Sequence, residues 1–195
     1  MIKIAKCQLL VEGGEPKRNL QRAKKYVEIA AREGSDLILF PECIDFAWTH
    51  PSGLEESKKI PGEYSNFFCD LAKNNKIFIC VGLTEKGHGK NFNSTILINR
   101  NGEILTKYQK INILEEAKKF YDCGKKLEVV DTELGKIGLT ICSDNYLKSS
   151  ILSHTLSRMG AQIILSPGAW TVNNDNLNND PYVNKWSETM QKVTN

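Results

Sequence analysis

The sequence predicts an α/β fold in four layers, helix–sheet–sheet–helix. Three observations predict it. Short apolar runs of strand length alternate with helical stripes along the whole chain. Those runs are continuous rather than alternating, as expected of strands buried on both faces. One stretch also echoes another: Ala31-Arg32-Glu33-Gly34-Ser35-Asp36-Leu37-Ile38-Leu39-Phe40-Pro41 matches Ser157-Arg158-Met159-Gly160-Ala161-Gln162-Ile163-Ile164-Leu165-Ser166-Pro167 in residue type at most positions. Each copy reads as helix end, Gly, apolar strand, Pro. Helices over one face of each sheet leave the two other faces to pack together.

The elements follow in order. Met1 to Leu10 reads as a buried strand. Pro16 suits the first turn of a helix, and Leu20, Ala23, Val27, Ala30 and Ala31 give it an apolar stripe that Gly34 stops. Asp36 to Phe40 is a strand ended by Pro41. Residues 43–60 are irregular. Pro61-Gly62 opens a helix to about Asn74, with Phe67, Phe68, Leu71 and Ala72 inward. Ile77 to Leu83 is a strand, and Gly87-His88-Gly89 turns the chain. Phe92 to Asn99 and Glu103 to Lys107 are strands joined at Asn101-Gly102, a strong hairpin signal. The stretch from Tyr108 to Gly124 lacks a pattern and is long for a loop, which points to function. Leu127 to Asp131 and Lys136 to Cys142 are strands around Gly135. Tyr146 to Met159 is helical, Gln162 to Leu165 is a strand, and residues 171–181 are polar. Val183, Trp186, Met190 and Val193 mark one face of a terminal helix.

Bulk properties narrow the function classes. The 195 residues fit a single domain, 1–195, with a real core. A net charge of +3 with scattered lysines gives no basic face for nucleic acid. No apolar run approaches the roughly 20 residues that span a bilayer, and the first residues alternate too much for a signal peptide. The six cysteines form no Cys-x-x-Cys pair and no zinc spacing. A reducing, cytoplasmic setting is the simplest expectation.

Three strand-like runs end on reactive residues: Glu42 after Phe40-Pro41, Lys110 after Tyr108-Gln109, and Cys142 after Gly138-Leu139-Thr140-Ile141. A thiol needs a base to become a thiolate, and acyl transfer needs a positive group where negative charge develops. One carboxylate, one ammonium and one thiol meet that need. Burial at a strand end is expected to raise the pKa of Glu42. Cys142 lies at a strand–helix junction, where backbone N–H groups near the helix start can face an oxyanion. A Cys–His site is the rival. His154 falls mid-helix and His88 in a Gly turn, so His50 is its only plausible member.

These segments resemble the nitrilase, or carbon–nitrogen hydrolase, superfamily. Phe40-Pro41-Glu42 resembles its glutamate motif, Tyr108-Gln109-Lys110-Ile111-Asn112 its lysine motif, and Gly138 to Asp144 its cysteine motif. Gly160-Ala161 through Ser166-Pro167-Gly168-Ala169-Trp170 resembles the segment that follows. The resemblance runs from about residue 2 to the end. It implies an αββα sandwich and hydrolysis of a small non-peptide amide or N-carbamoyl compound through a thioester. Cys142 is then the nucleophile, Glu42 the general base, and Lys110 with the Ser143 N–H the oxyanion support. It implies no metal or organic cofactor, a second glutamate at Glu115 or Glu116, and self-association into a homo-oligomer.

The chain also departs from the pattern. Ser143-Asp144 stands where enzymes acting on true nitriles carry Trp-Glu. Asn145-Tyr146-Leu147-Lys148 replaces the usual Arg-Phe-Pro-Glu. Family members are longer and add strands that complete the second sheet. An alternative expectation follows: a truncated, catalytically weak chain that serves as a binding or assembly partner.

Overall fold

The computed structural model describes residues 1–145 and 150–170, together with 187, 188 and 191. Two sheets form its centre. The first has five strands in the order β1 (Ile4–Lys6), β2 (Leu37–Leu39), β3 (Phe78–Glu85), β4 (Phe92–Ile98), β5 (Ile104–Gln109). β1, β2 and β3 run parallel, and β3, β4 and β5 are joined antiparallel. The second has three strands, β6 (Val129–Thr132), β7 (Gly135–Leu139) and β8 (Ile163–Leu165). β6 is antiparallel and β8 parallel to β7.

Side-chain alternation explains why the strand sequences are apolar throughout. Ile38, Ile79, Val81, Ile96 and Ile98 point toward helices α1 (Pro16–Arg32) and α3 (Glu63–Asn75), where they meet Leu20, Ala23, Val27, Phe68 and Leu71. Their neighbours Leu37, Phe78, Cys80 and Leu97 point the other way, onto Ile137, Leu139, Ile141 and Leu165 of the second half. Successive residues therefore serve two cores. Helix α4 (Ile151–Arg158) covers the far side of the second sheet, with Leu156 fully buried and its methyls over Gly138. The layers are thus helix, sheet, sheet, helix, as the sequence predicts. Each large apolar side chain buried this way contributes about 1.5–3 kcal/mol.

Local chemistry sets the ends. Pro16 opens α1, and Gly34, at φ +71°, turns the chain out of it. The Ser65 hydroxyl accepts from Gly62 N at 2.8 Å and donates to Gly62 O, which caps α3. The β4–β5 hairpin closes around Asn99, whose side-chain oxygen accepts from the N–H groups of Asn101 and Glu103, and Gly102 takes φ +81°.

Four expectations need correction. β1 is three residues long and half-exposed rather than buried. It lies at the edge of its sheet, Ala5, Cys7 and Leu9 touch the helix-side core, and Ile2 and Ile4 face outward. Residues 43–46 are fully buried, and a short helix α2 (Gly53–Glu56) follows, so the 43–60 stretch is irregular only in part. The stretch after Tyr108 is packed down, not loose: Ile113, Ala117, Phe120 and Tyr121 form a small core with Cys43. Backbone bonds tie Asn91 to Phe120 and Asp122. The helix expected from Tyr146 begins at Ile151, and Cys142–Asn145 is a 3-10 turn. Tyr146 itself, residues 171–181, Val183, Trp186, Met190 and Val193 lie outside the described residues.

Candidate active site

Glu42, Lys110 and Cys142 converge between the two sheets. Each is delivered by the chain just beyond a strand. After β2, residues 40–44 run on beside β3: Phe40 N donates to Cys80 O at 2.8 Å, Gly82 N to Pro41 O at 3.2 Å, and Ile44 N to Gly82 O at 3.0 Å. Gly82 makes this approach possible. A Cβ there would stand 2.8 Å from the Pro41 oxygen and 3.1 Å from the Cys43 nitrogen, and would collide with the Glu42 Cα.

Lys110 follows β5. Its N–H donates to Asn93 O and its carbonyl accepts from Gly124 N, both at 2.8 Å, so the backbone is held on both sides. Cys142 lies three residues past the end of β7. Its N–H donates to Pro167 O at 2.9 Å, and its φ of +43° is unusual for a residue with a side chain. Such a conformation persists only where surrounding bonds enforce it, and it clusters at functional sites.

The Glu42 carboxylate is the hub. Oε2 accepts from Lys110 Nζ at 3.0 Å and from Asn93 Nδ2 at 2.6 Å, and Oε1 accepts from Ala169 N at 2.9 Å. Glu42 and Lys110 are 3% and 2% exposed, so this pair is fully desolvated. Burial, the largest single influence, would raise the carboxyl's pKa as expected from sequence. The Lys110 ammonium, Asn93 and the Ala169 N–H together outweigh it and hold the carboxyl below its usual range. The expected upward shift is therefore corrected. Lys110 shows the mirror image: burial opposes its charge, but Glu42 and then Cys142 overcome it, and its pKa is raised. The Cys142 thiol is pushed up to about 12, first by burial and then by the Glu42 charge, with Lys110 pulling the other way. The resting site is a carboxylate, an ammonium and a protonated thiol.

The two further glutamates and the histidines lie away from this cluster, and Ser143 lies next to it. Glu115 and Glu116 sit in an exposed 3-10 turn, and Glu115 pairs with Lys118 at 2.5 Å rather than with the site. Ser143 is buried in the turn that Cys142 opens, and its hydroxyl donates to Asn112 O at 2.7 Å. His50 is engaged with the Ser52 hydroxyl at 2.8 Å and lies against Gly13 and Gly14. His88 and His154 are exposed. Gly168, exposed, leaves one side of the cysteine open: a Cβ there would stand 3.9 Å from Sγ. Among the described residues no group of three His, Cys, Asp or Glu is placed to hold a metal ion, and no helix is long and apolar enough to cross a membrane.

Sequence reasoning missed Asn93, Ala169 and Gly82. A signal for the first was present. Asn93-Ser94-Thr95 puts three consecutive polar residues inside an apolar strand, and all three are fully buried. Buried polar side chains in a row need partners, and Asn93 finds one in Glu42.

Comparison with known proteins agrees with this architecture. In the solved structures the four-layer fold recurs in a carbon–nitrogen hydrolase from Helicobacter pylori, with a TM-score of 0.86 at 22% identity, covering 98% of this chain and 68% of that one. It recurs also in an amidase from Nesterenkonia sp. that carries acrylamide added to its active-site cysteine, with a TM-score of 0.81 at 20% identity over 91% of this chain and 70% of that one. The sequence pattern of the Carbon-nitrogen hydrolase family matches residues 3–192, and the chain belongs to that family. It is 31% identical over 172 residues to a nitrilase from Pyrococcus abyssi, covering 86% of this chain and 64% of that protein. It is 27% identical over 164 residues to an omega-amidase from Mus musculus, covering 79% and 59%. The chain thus spans about three fifths of the length of these curated relatives.

Proposed function

We propose that the protein hydrolyses a small non-peptide amide or N-carbamoyl compound through a thioester on Cys142. The observation that carries this reading is the buried carboxylate of Glu42, shared by the Lys110 ammonium, Asn93 and the Ala169 N–H beside the Cys142 thiol. As the sulfur attacks the amide carbon, its proton passes to Glu42. The C=O π electrons collect on oxygen, where Lys110 and the Ser143 N–H meet the developing charge. Glu42 then gives the proton to the nitrogen, and ammonia or an amine leaves. Water attacks the thioester, with Glu42 again as base, and releases the acid and the free thiol.

The ionisation pattern suits this order. The thiol at about 12 holds its proton until a substrate arrives, and the carboxylate is already ionised to receive it. Transfer is uphill in the resting site, so it proceeds together with carbon–sulfur bond formation, under the field of Lys110. Ser143 after the cysteine, together with relatives named omega-amidase, supports an amide over a nitrile. The test is ammonia release from a panel of ω-amides and N-carbamoyl compounds. Cys142→Ala should abolish it, and a trapped intermediate should add the acyl mass to the Cys142 peptide. Full turnover by Cys142→Ala would end the reading.

A further inference from the structure

The lysine segment and the cysteine turn are joined by a second buried acid that the reaction above does not use. Asp144 is fully buried, two residues beyond Cys142, and Tyr108 is buried, two residues before Lys110. The Tyr108 hydroxyl donates to Asp144 Oδ2 at 2.8 Å, and Ile141 N donates to the same oxygen at 2.9 Å. Asn112 N donates to Oδ1 at 2.8 Å. The Tyr108 hydroxyl in turn accepts from Ile111 N at 3.2 Å, and the Ser143 hydroxyl donates to Asn112 O at 2.7 Å. Residues 108, 111 and 112 flank Lys110, while 141, 143 and 144 flank Cys142. Every cross-link runs between those two sets or within one of them.

We propose that Asp144 and Tyr108 form a positioning clamp that fixes the Lys110 ammonium relative to the Cys142 sulfur. The proposal deepens the reading of Cys142 and Lys110 given above and rests on it. The chemistry calls for a carboxylate in particular. Three donors converge on Asp144: one phenol and two backbone N–H groups. A carboxylate accepts all three, whereas an amide would aim its own NH2 at one of them. A buried network with one unmet donor relaxes by moving, and here the movement falls on the two segments that the network joins, the one that carries Lys110 and the turn that carries Cys142. Ammonium and sulfur would then separate, and the field that favours the thiolate would weaken.

The experiment uses the 195-residue chain with Asp144→Asn and Tyr108→Phe, and has two arms. In the first, iodoacetamide alkylation of the Cys142 peptide is followed by mass spectrometry between pH 6 and 10, with the exposed Cys123 in the same samples as the reference. Asp144→Asn should slow alkylation of Cys142 at least tenfold at pH 8 and move its pH profile upward, leaving Cys123 unchanged. In the second, kcat for a small amide should fall at least a hundredfold with KM within threefold. Tyr108→Phe, which keeps both backbone donors to Asp144, should show the same pattern at about a tenth of the size, and it decides the matter if Asp144→Asn does not fold. A role confined to holding the fold would lower the melting temperature but leave the alkylation profile of the folded protein in place, and that result overturns the proposal. If the wild type turns over no amide, the reading of the reaction fails while the alkylation arm still decides the clamp.

Discussion

Replacing Glu42 with Gln should strand a buried ammonium, and the consequences can be worked out. Lys110 Nζ and Glu42 Oε2 are 3.0 Å apart with almost no exposure. At an effective dielectric constant near 20, such a pair attracts by about 5 kcal/mol. Removing one partner of a buried pair costs about 3–5 kcal/mol, because the other charge stays desolvated. For a chain of this size, that lowers the melting temperature by roughly 6–20 °C. The pH dependence separates this cause from loose packing. In the wild type, Lys110 has a raised pKa, so its contribution is whole below 10.5 and is lost only as pH rises through the still higher folded value. The Glu42 contribution is whole above 4.5 and is lost as pH falls through its lowered value. Between those limits the pair adds no slope. In Glu42→Gln, the largest influence that keeps Lys110 charged is gone, burial outweighs what Cys142 and Asp144 still contribute, and its folded pKa falls. The folded state then binds fewer protons than the unfolded one, so stability rises with pH, by up to about 1.4 kcal/mol per pH unit. Urea unfolding at pH 7.5 and 9.5 should therefore show the variant regaining roughly 2 kcal/mol relative to wild type. A double variant, Glu42→Leu with Lys110→Met, should be more stable than Glu42→Gln, since no charge is left unpaired. A Glu42→Gln protein as stable as wild type, or a deficit that does not change with pH, would refute the reasoning.

Two other predictions follow from the same geometry. Because the Glu42 carboxyl is held below its ordinary range, kcat/KM should stay level as pH falls through 5 and decline only below about 4.5, which a pH–rate profile with a neutral amide would read; a decline centred between 6 and 7 would contradict it. Gly82→Ala should cost about 1–3 kcal/mol by denaturant unfolding and lower kcat more than tenfold, because the added methyl presses on the backbone that carries Glu42. A variant that loses stability but keeps wild-type kcat would show that this backbone contact does not set the carboxylate's position.

The fold was legible where both faces of a strand are buried. Leu37-Ile38-Leu39 and Phe78 to Leu83 read as strands because each residue belongs to one core or the other. The αβ layering was legible because the repeat around Gly34 and Gly160 marks the same turn twice. Less was legible where one surface is missing or where polar groups do the packing. Ile2 and Ile4 look like core residues in sequence, yet they sit on an edge strand whose outward face is uncovered among the described residues. The segment 43–46 looks irregular because its order comes from Asp45, a buried acid that accepts from Thr84 N at 2.8 Å, from the Thr84 hydroxyl and from Phe46 N. Hydrogen bonds of that kind have no period to detect. The three reactive residues were visible because each ends an apolar run. Of their partners, Asn93 showed only as one of three polar residues inside an apolar strand, and Ala169 showed not at all, since what qualifies it is a single N–H direction rather than a residue pattern.

The internal repeat also explains why the site lies where it does. In the first copy Gly34 N donates to Ala31 O, Ser35 N to Ala30 O and Asp36 N to Lys3 O; in the second, Gly160 N donates to Ser157 O, Ala161 N to Leu156 O and Gln162 N to Lys136 O. Even the side chains agree: Asp36 accepts from Lys3 N at 2.9 Å, and Gln162 from Lys136 N at 3.0 Å. Each copy leaves its strand through a proline, Pro41 or Pro167, and the two exits face one another. Glu42 follows the first, Ala169 lies two residues past the second, and a 2.9 Å bond joins them. The carbonyl of Pro167 holds Cys142 N, while that of Pro41 accepts from Gly82 N. Two similar βαβ units packed sheet to sheet thus bring a carboxylate and a thiol together at their shared strand ends. The ammonium has no counterpart in either copy. It comes from the β4–β5 hairpin, which lies between the copies in sequence and extends the first sheet. The order Glu, Lys, Cys along the chain is then a consequence of topology: one residue from the first unit, one from the inserted hairpin, one from the second unit. The hairpin carries no repeat-encoded turn to fix its end, so the bonds from Asn93, Gly124 and Asp144 must do so, and substitutions there should fall on Lys110 before they fall on the fold.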